Sequence, residues 1–306
     1  MFPTIIVDSA YGEAVEPLGA KAKFWYRDPQ NRDRRMLFKE ETRGTGEDWA
    51  EVVACELCAL LNLPHAKYQL AVDRQSDKPG VVCESIVPIN GMLIHGNQLL
   101  LERDPDYPTA DDRKYKVSQH TVIAVSKVLS DLLPPQIDDT DKLSCSLNTA
   151  LDIYIGYVLL DTWLANQDRH HQNWGAIRVG QEIRLAPSFD HGASMARNLT
   201  DEERLKRLET TDAGYRVEAF AAKARSAFFE TNADSRPLTT LDAWQRFSSQ
   251  SPMARSIWLE KLNAIKHNAV GEILAQVPPH RMTPICRDFT LRLLNENRRR
   301  LLETSL

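Results

Sequence analysis

A chain of 306 residues, 42% hydrophobic and 26% charged, can bury one large core or two lobes, and its composition is not that of a disordered or fibrous protein. A formal net charge of −4 gives no electrostatic drive toward nucleic acid. The most apolar run, IYIGYVLL at 153–160, is far shorter than the roughly 20 residues of a membrane span.

The start, MFPTIIVDSAYGE, lacks the basic stretch and apolar core of a secretion signal, which predicts a cytoplasmic protein, or one delivered to a host cytosol if it is an effector. KAKFWYRD (21–28) and RRMLFKEE (34–41) read as strands, joined by the polar turn DPQNRD. A helix is predicted over 47–63, with Glu47 and Asp48 in its first turn and an apolar stripe of Trp49, Val52, Val53, Leu57 and Leu60. Cys55 and Cys58 form a CxxC on that helix, but no second pair completes a zinc site, so they are expected as buried small hydrophobes. Strands follow at 68–73 and 80–87. Helical patterns then dominate, over 120–133, 147–166, 201–209, 215–229, 240–248, 255–276 and 283–304. The expected fold is α+β and bilobal, with a strand-rich N-lobe over 1–88 and a mainly helical C-lobe over 89–306.

The densest polar chemistry lies in DTWLANQDRHHQNWGAIRVGQEIRLAPSFDHG, residues 161–192. WGAIRV (174–179) and EIRLAPSF (182–189), joined by Gly180-Gln181, predict a β-hairpin. Asp168 and Asn173 precede the hairpin and Asp190 follows it, so the three converge although 22 residues separate the aspartates. An Asn oxygen and an Asp carboxylate are hard ligands suited to Mg²⁺, and a second Asp can accept a hydroxyl proton. The arrangement suits phosphoryl transfer.

D-x-H-x-x-N at 168–173 and AP-x-x-D at 186–190 resemble the HipA-like serine/threonine kinases, within the wider protein-kinase-like and phosphatidylinositol-kinase-related fold. The resemblance runs from about Lys21 to Arg204. It implies an ATP- and Mg²⁺-dependent kinase with Asp168 as catalytic base, Asn173 and Asp190 as metal ligands, and His170 as a brace for the catalytic loop. Lys39, ending MLFK directly before the helix, stands where such a fold places its ATP-anchoring lysine. For the ion-pair partner of Lys39, Glu56 is favoured over Glu51, because Glu56 shares a helical face with Trp49, Val52 and Leu60. Backbone groups at Glu84, Ser85 and Ile86 would meet adenine. The phosphate-covering loop should fall near VEPLGAKAK (15–23), which has only Gly19 and no G-x-G-x-x-G; Gly19 and Lys21, or Lys23, would have to serve instead.

A protein Ser/Thr hydroxyl is the expected acceptor, since no polybasic run or cationic amphipathic helix suits a membrane substrate. Some relatives of this type act as toxins with a DNA-binding antitoxin, so the resemblance allows an antitoxin or regulatory partner, with no direct contact of this chain with nucleic acid. Arg197, Asp201, Arg204 and ETTDAGYRVEAF follow the DHG motif and read as solvated helix surface. Two other functions compete: a non-catalytic, pseudokinase-like nucleotide-binding module, and a metal hydrolase using His170, His171, Asp190 and His191.

Overall fold

The computed structural model describes residues 1–15, 23–41, 44–108, 117–136 and 145–304. Six strands form the N-terminal sheet: β1 (Thr4–Val7), β2 (Ala14–Val15), β3 (Lys23–Arg27), β4 (Arg35–Glu40), β5 (Tyr68–Asp73) and β6 (Pro79–Glu84), in spatial order β1-β5-β6-β4-β3-β2. β1 runs parallel to β5, and every other pairing is antiparallel. In the β3–β4 turn, Asp28 Oδ1 and Asn31 Oδ1 accept the N–H groups of Gln30 and Asn31's own second neighbour Asp33, the Asx-turn chemistry that ends a strand. Period-2 alternation gives the sheet two apolar faces. Met36, Phe38, Tyr26 and Val82 cover one, while Leu37, Leu70, Val81 and Cys83 lie on the other.

The second face receives α1 (Glu47–Leu61) through Val52 and Cys55. Trp49, Val53, Leu57 and Leu61 on the helix's remaining surface enter the main helical core, so α1 is wedged between sheet and helices. Leu60, expected in the apolar stripe, is instead 36% exposed. The helix begins at Gly46, whose φ of 84° and contact with the Trp49 indole exclude a side chain.

The C-terminal part is helical: α2 (Gly96–Arg103), α3 (Val122–Leu129), α4 (Ala150–Leu164), α5 (Asp201–Glu209), α6 (Val217–Lys223), α7 (Thr240–Ser248), α8 (Pro252–Ala264), α9 (Ala269–Leu274) and α10 (Pro284–Glu303). A second sheet, β7 (Gly91–His95), β8 (Gly175–Val179) and β9 (Glu182–Leu185), is embedded in it in that order. The apolar run at 153–160 lies within α4, which is buried on nearly every side. Tyr154 of α4 packs edge-on to Trp174, with Phe247 5.4 Å away.

The mixed fold, strand-rich first and helical after, is the expected one. Several elements differ from the sequence pattern. β1, β2, β7 and α2 were not signalled, being short or half-exposed. The helix expected over 255–276 is two, because Arg298 of α10 donates to the carbonyls of Asn263 and Ile265, closing α8 there. The one expected over 215–229 stops at Lys223, because residues beyond it pair instead with the segment before α7: Ser226 N–H donates to Leu238 O, and Thr240 N–H to Ala224 O.

Candidate active site

The β8–β9 hairpin turns at Gly180 (φ 59°), with Val179 opposite Glu182. At its open end Ala186 N–H donates to Gly175 O, 2.9 Å. The next turn of chain is clamped to the residues after α1, where Ala66 N–H donates to Ser188 O and Ser188 N–H to Pro64 O. Asn173 and Asp190 therefore leave the same end of one ribbon.

The loop before the hairpin folds over a buried ion pair. α4 stops at Ala165 in the left-handed region (φ 51°), and Asp161 in its last turn accepts Arg169 Nε and Nη2 at 2.7 and 2.8 Å. Asn166 Nδ2 donates to the same carboxylate, and Arg169 Nη1 reaches the Asn173 carbonyl at 3.3 Å. With its bend fixed this way, the loop presents Asp168, whose side chain stays 21% exposed. Asn173 Nδ2 donates to the Asp168 carbonyl (2.8 Å) and approaches Oδ2 (3.3 Å). His170 donates its backbone N–H to the Asp168 carbonyl, 2.7 Å. His170 Nδ1 accepts the Gln172 N–H, an assignment that puts the ring proton on Nε2, 3.5 Å from Asp168 Oδ1. The loop thus gathers Asp168, His170 and Asn173.

Lys39 reaches this region from β4. Its Nζ lies 3.2 Å from Asp190 Oδ1, 3.2 Å from the Tyr68 hydroxyl and 3.6 Å from Glu51 Oε1. The flanking Asp190 carboxylate, with Tyr68 and Glu51, outweighs burial and holds the ammonium well above its ordinary pKa. The partner on α1 is Glu51, which corrects the expectation of Glu56. Glu56 is half-buried, with no cation beside it among the described residues. α1 is buried on two sides, and the face of Cys55 and Glu51 is the one that meets the sheet. Burial pushes the Glu51 carboxyl up to about 7, against the pull of Lys39.

Asp190 adopts φ 60°, and its N–H points at the Tyr68 hydroxyl, 3.4 Å. Glu51 Oε2 accepts the next N–H, from His191, at 2.8 Å, so one carboxylate holds both Lys39 and the chain after Asp190. His191 is buried, bonded to Ser188 Oγ at 2.8 Å, and burial holds it neutral, its pKa well below the usual range. Arg197 closes the arrangement: Nε donates to Gly192 O (2.8 Å), and its two terminal nitrogens bond Thr45 and Glu47 at the start of α1. Met195 and Ala196 sit at φ 55° and 50°, the strain held by Met195 N–H bonding to Leu164 O.

Tyr68, Arg197 and the Asp161–Arg169 pair were not singled out as site residues by the sequence. A charge inside an otherwise apolar helix end, Asp161, was the one usable signal. His171 is not directed at the site; its Nδ1 bonds the Tyr107 hydroxyl at 2.8 Å in the core. Among the described residues no group of three or more His, Cys, Asp or Glu is arranged to hold a metal, which removes support from the histidine-based hydrolase. A site of one carboxylate and one amide oxygen fits Mg²⁺, which retains waters and takes its remaining ligands from phosphate. The amide nitrogen of Asn173 is spent on Asp168, so its oxygen is the atom left to offer.

At the expected hinge, the Ser85 N–H is already taken by Arg35 O (2.8 Å) and the exposed Glu84 carboxylate by Arg34 (2.8 Å), while Ile86 packs against the Leu37 cluster. Gly19 and Lys21 lie outside the described residues.

A strand-rich N-terminal sheet, a helical C-terminal part and an Asp/Asn pair at a hairpin mouth facing a partly buried lysine match a protein-kinase-like fold. Within that class the structure is similar to the proinflammatory kinase CtkA of Helicobacter pylori, with a TM-score of 0.70 and 20% identity over 99% of this chain and 97% of that one. It is also similar to HipA of Shewanella oneidensis MR-1, solved as a toxin–antitoxin complex with HipB and operator DNA, with a TM-score of 0.54 and 10% identity over 95% of this chain and 66% of that one. The fold is that of the HipA-like kinases. No family model and no curated protein matches the sequence.

Proposed function

We propose that this chain is an ATP- and Mg²⁺-dependent kinase that transfers the γ-phosphoryl group to a serine or threonine hydroxyl of a protein. The observation that carries it is Lys39 beside Asp190 at 3.2 Å, across 151 positions of sequence, next to a loop in which Asn173 braces Asp168. Asp168 accepts the hydroxyl proton as the oxygen attacks phosphorus and the bond to the ADP oxygen breaks. Lys39, oriented by Glu51, supplies fixed positive charge to the phosphates. Asp190 and Asn173 would hold Mg²⁺, whose role when bound is to neutralise phosphate charge. Residues 84–86 lead from the sheet of the N-lobe toward the C-lobe, and the cleft between the lobes would take the nucleotide. The HipB complex of the HipA neighbour supports an antitoxin or regulatory partner here, with operator contact left to that partner. The free cysteines among the described residues suit a reducing cytosol, and no described helix is long and apolar enough to cross a membrane.

The test is incubation with γ-labelled ATP, Mg²⁺ and a cell lysate, followed by mass spectrometry of new phosphosites. New Ser/Thr sites that vanish with Asp168→Ala are expected. Nucleotide binding without any transfer would favour the pseudokinase-like module.

A further inference from the structure

A cavity of about 410 Å³ borders the catalytic loop. It opens beside Gln167, the residue before Asp168, and is walled by Arg207 of α5, Tyr215 of the following turn, and Phe220 and Lys223 of α6. Residues 211–214 and Arg216 are exposed, as the segment's polarity suggests, but Arg204 is not. Arg204 is 7% exposed and donates to Arg197 O at 2.9 Å, tying α5 to the chain after Asp190.

Two cations and no carboxylate line the cavity. The Arg207 guanidinium stacks 4.2 Å from the Tyr215 ring centre and 4.9 Å from that of Phe220, and donates one bond, to Tyr215 O at 3.2 Å. Its Nε has no hydrogen-bond partner among the described residues. Lys223 is exposed and donates to Gly214 O at 3.2 Å. An ammonium has three donors and a guanidinium five, so both retain capacity for an anion. Of the neighbouring acids, Glu218 pairs with Arg292 at 2.7 Å, Asp212 Oδ1 accepts Gly214 N–H at 2.8 Å, and Glu203 Oε2 accepts Thr200 N–H at 2.8 Å. Arg207 occupies one face of each ring, and the two cations favour a carboxylate as the ligand.

We propose that this cavity recognises an aspartate or glutamate side chain next to the phosphorylated hydroxyl of a protein substrate. Gln167 and Asp168 are one Cα step apart, about 3.8 Å, and an extended chain advances about 3.3–3.6 Å per residue. This assignment rests on the kinase reading above and names its substrate class.

The test uses two serine peptides that differ only in carrying Asp or Lys at the flanking positions. Binding is read by fluorescence anisotropy, and transfer from ATP is read in parallel. The wild type binds the Asp peptide at least tenfold more tightly. Lys223→Glu removes or inverts that preference, while Lys223→Arg keeps it, which a merely structural role for Lys223 would not produce. Selective binding with no transfer to either peptide supports the cavity's role and counts against the kinase reading. Transfer with no acidic preference, or an unchanged preference in Lys223→Glu, overturns the cavity's role and leaves the kinase standing. Tighter retention of a single-stranded oligonucleotide than of the Asp peptide also overturns it, in favour of nucleic acid.

Discussion

Glu51 carries more than an ion pair. One oxygen faces Lys39 and the other receives the His191 N–H, so Glu51→Gln should lower transfer, on the order of 10²-fold, by misplacing both Lys39 and Asp190. Glu56→Gln should stay within about twofold of wild type in the same steady-state assay, since Glu56 has no cation beside it among the described residues. Glu51 also sets a pH dependence of stability. Its folded pKa, about 7, is raised above the ordinary 4.5, so between these values the folded chain holds a proton that the unfolded chain releases. Its contribution is full below pH 4.5 and is lost as pH rises through about 7. Urea midpoints should show wild type losing ground to Glu51→Gln as pH rises across that window; a gap that widens in wild type's favour would contradict it. At this scale Asp168, Asn173 and Asp190 stand out in the sequence as polar groups at a hairpin mouth, whereas Lys39 stands out only beside them and the fold they resemble. Glu51 does not, since a helix buried on two sides has no single inward stripe on which to place its carboxylate.

Two devices hold the site's elements in register. The Asp161–Arg169 pair is buried, both side chains no more than 5% exposed, and it shapes the loop that presents Asp168. Asp161→Ala strands a buried guanidinium and should cost about 3–5 kcal/mol in chemical denaturation. Arg197 links the segment after Asp190 to the first turn of α1 through Glu47 and Thr45. Arg197→Ala takes this cation from the buried Glu47 carboxylate, so it should lower the unfolding midpoint as well as kcat/KM, with faster amide exchange concentrated at the start of α1 and residues 191–197. Equal exchange in both proteins would show that Arg197 is not a latch. The hairpin was legible because Gly180-Gln181 separates two apolar runs of strand composition. β7, its third strand, was not: GMLIH has exposed Met92 and follows a proline loop, and only pairing with β8 makes it a strand.

Across the whole molecule, α4 is the axis on which the helical part is assembled, and α1 joins it to the sheet. Gly156 of α4 lets Trp258 of α8 and Leu63 approach; an added Cβ would lie 2.5 Å and 2.7 Å from them. Gly156→Ala should therefore destabilise by about 1–3 kcal/mol through overpacking, measured by denaturant unfolding. The α+β architecture was readable from the order of strand and helix patterns alone. The parallel placement of β1 beside β5 was not, because edge strands of four residues are fixed by partners distant in sequence. Substrate choice is likewise a property of assembled surfaces, here the cavity between α5 and α6. The central claim is that Lys39, Asp168, Asn173 and Asp190 form one phosphotransfer site. The most direct measurement is γ-phosphoryl transfer to protein by wild type and Asp190→Ala, both shown folded by their unfolding midpoints. Mg²⁺-dependent labelling by wild type that is lost in Asp190→Ala is the predicted result; labelling that survives in Asp190→Ala would contradict it.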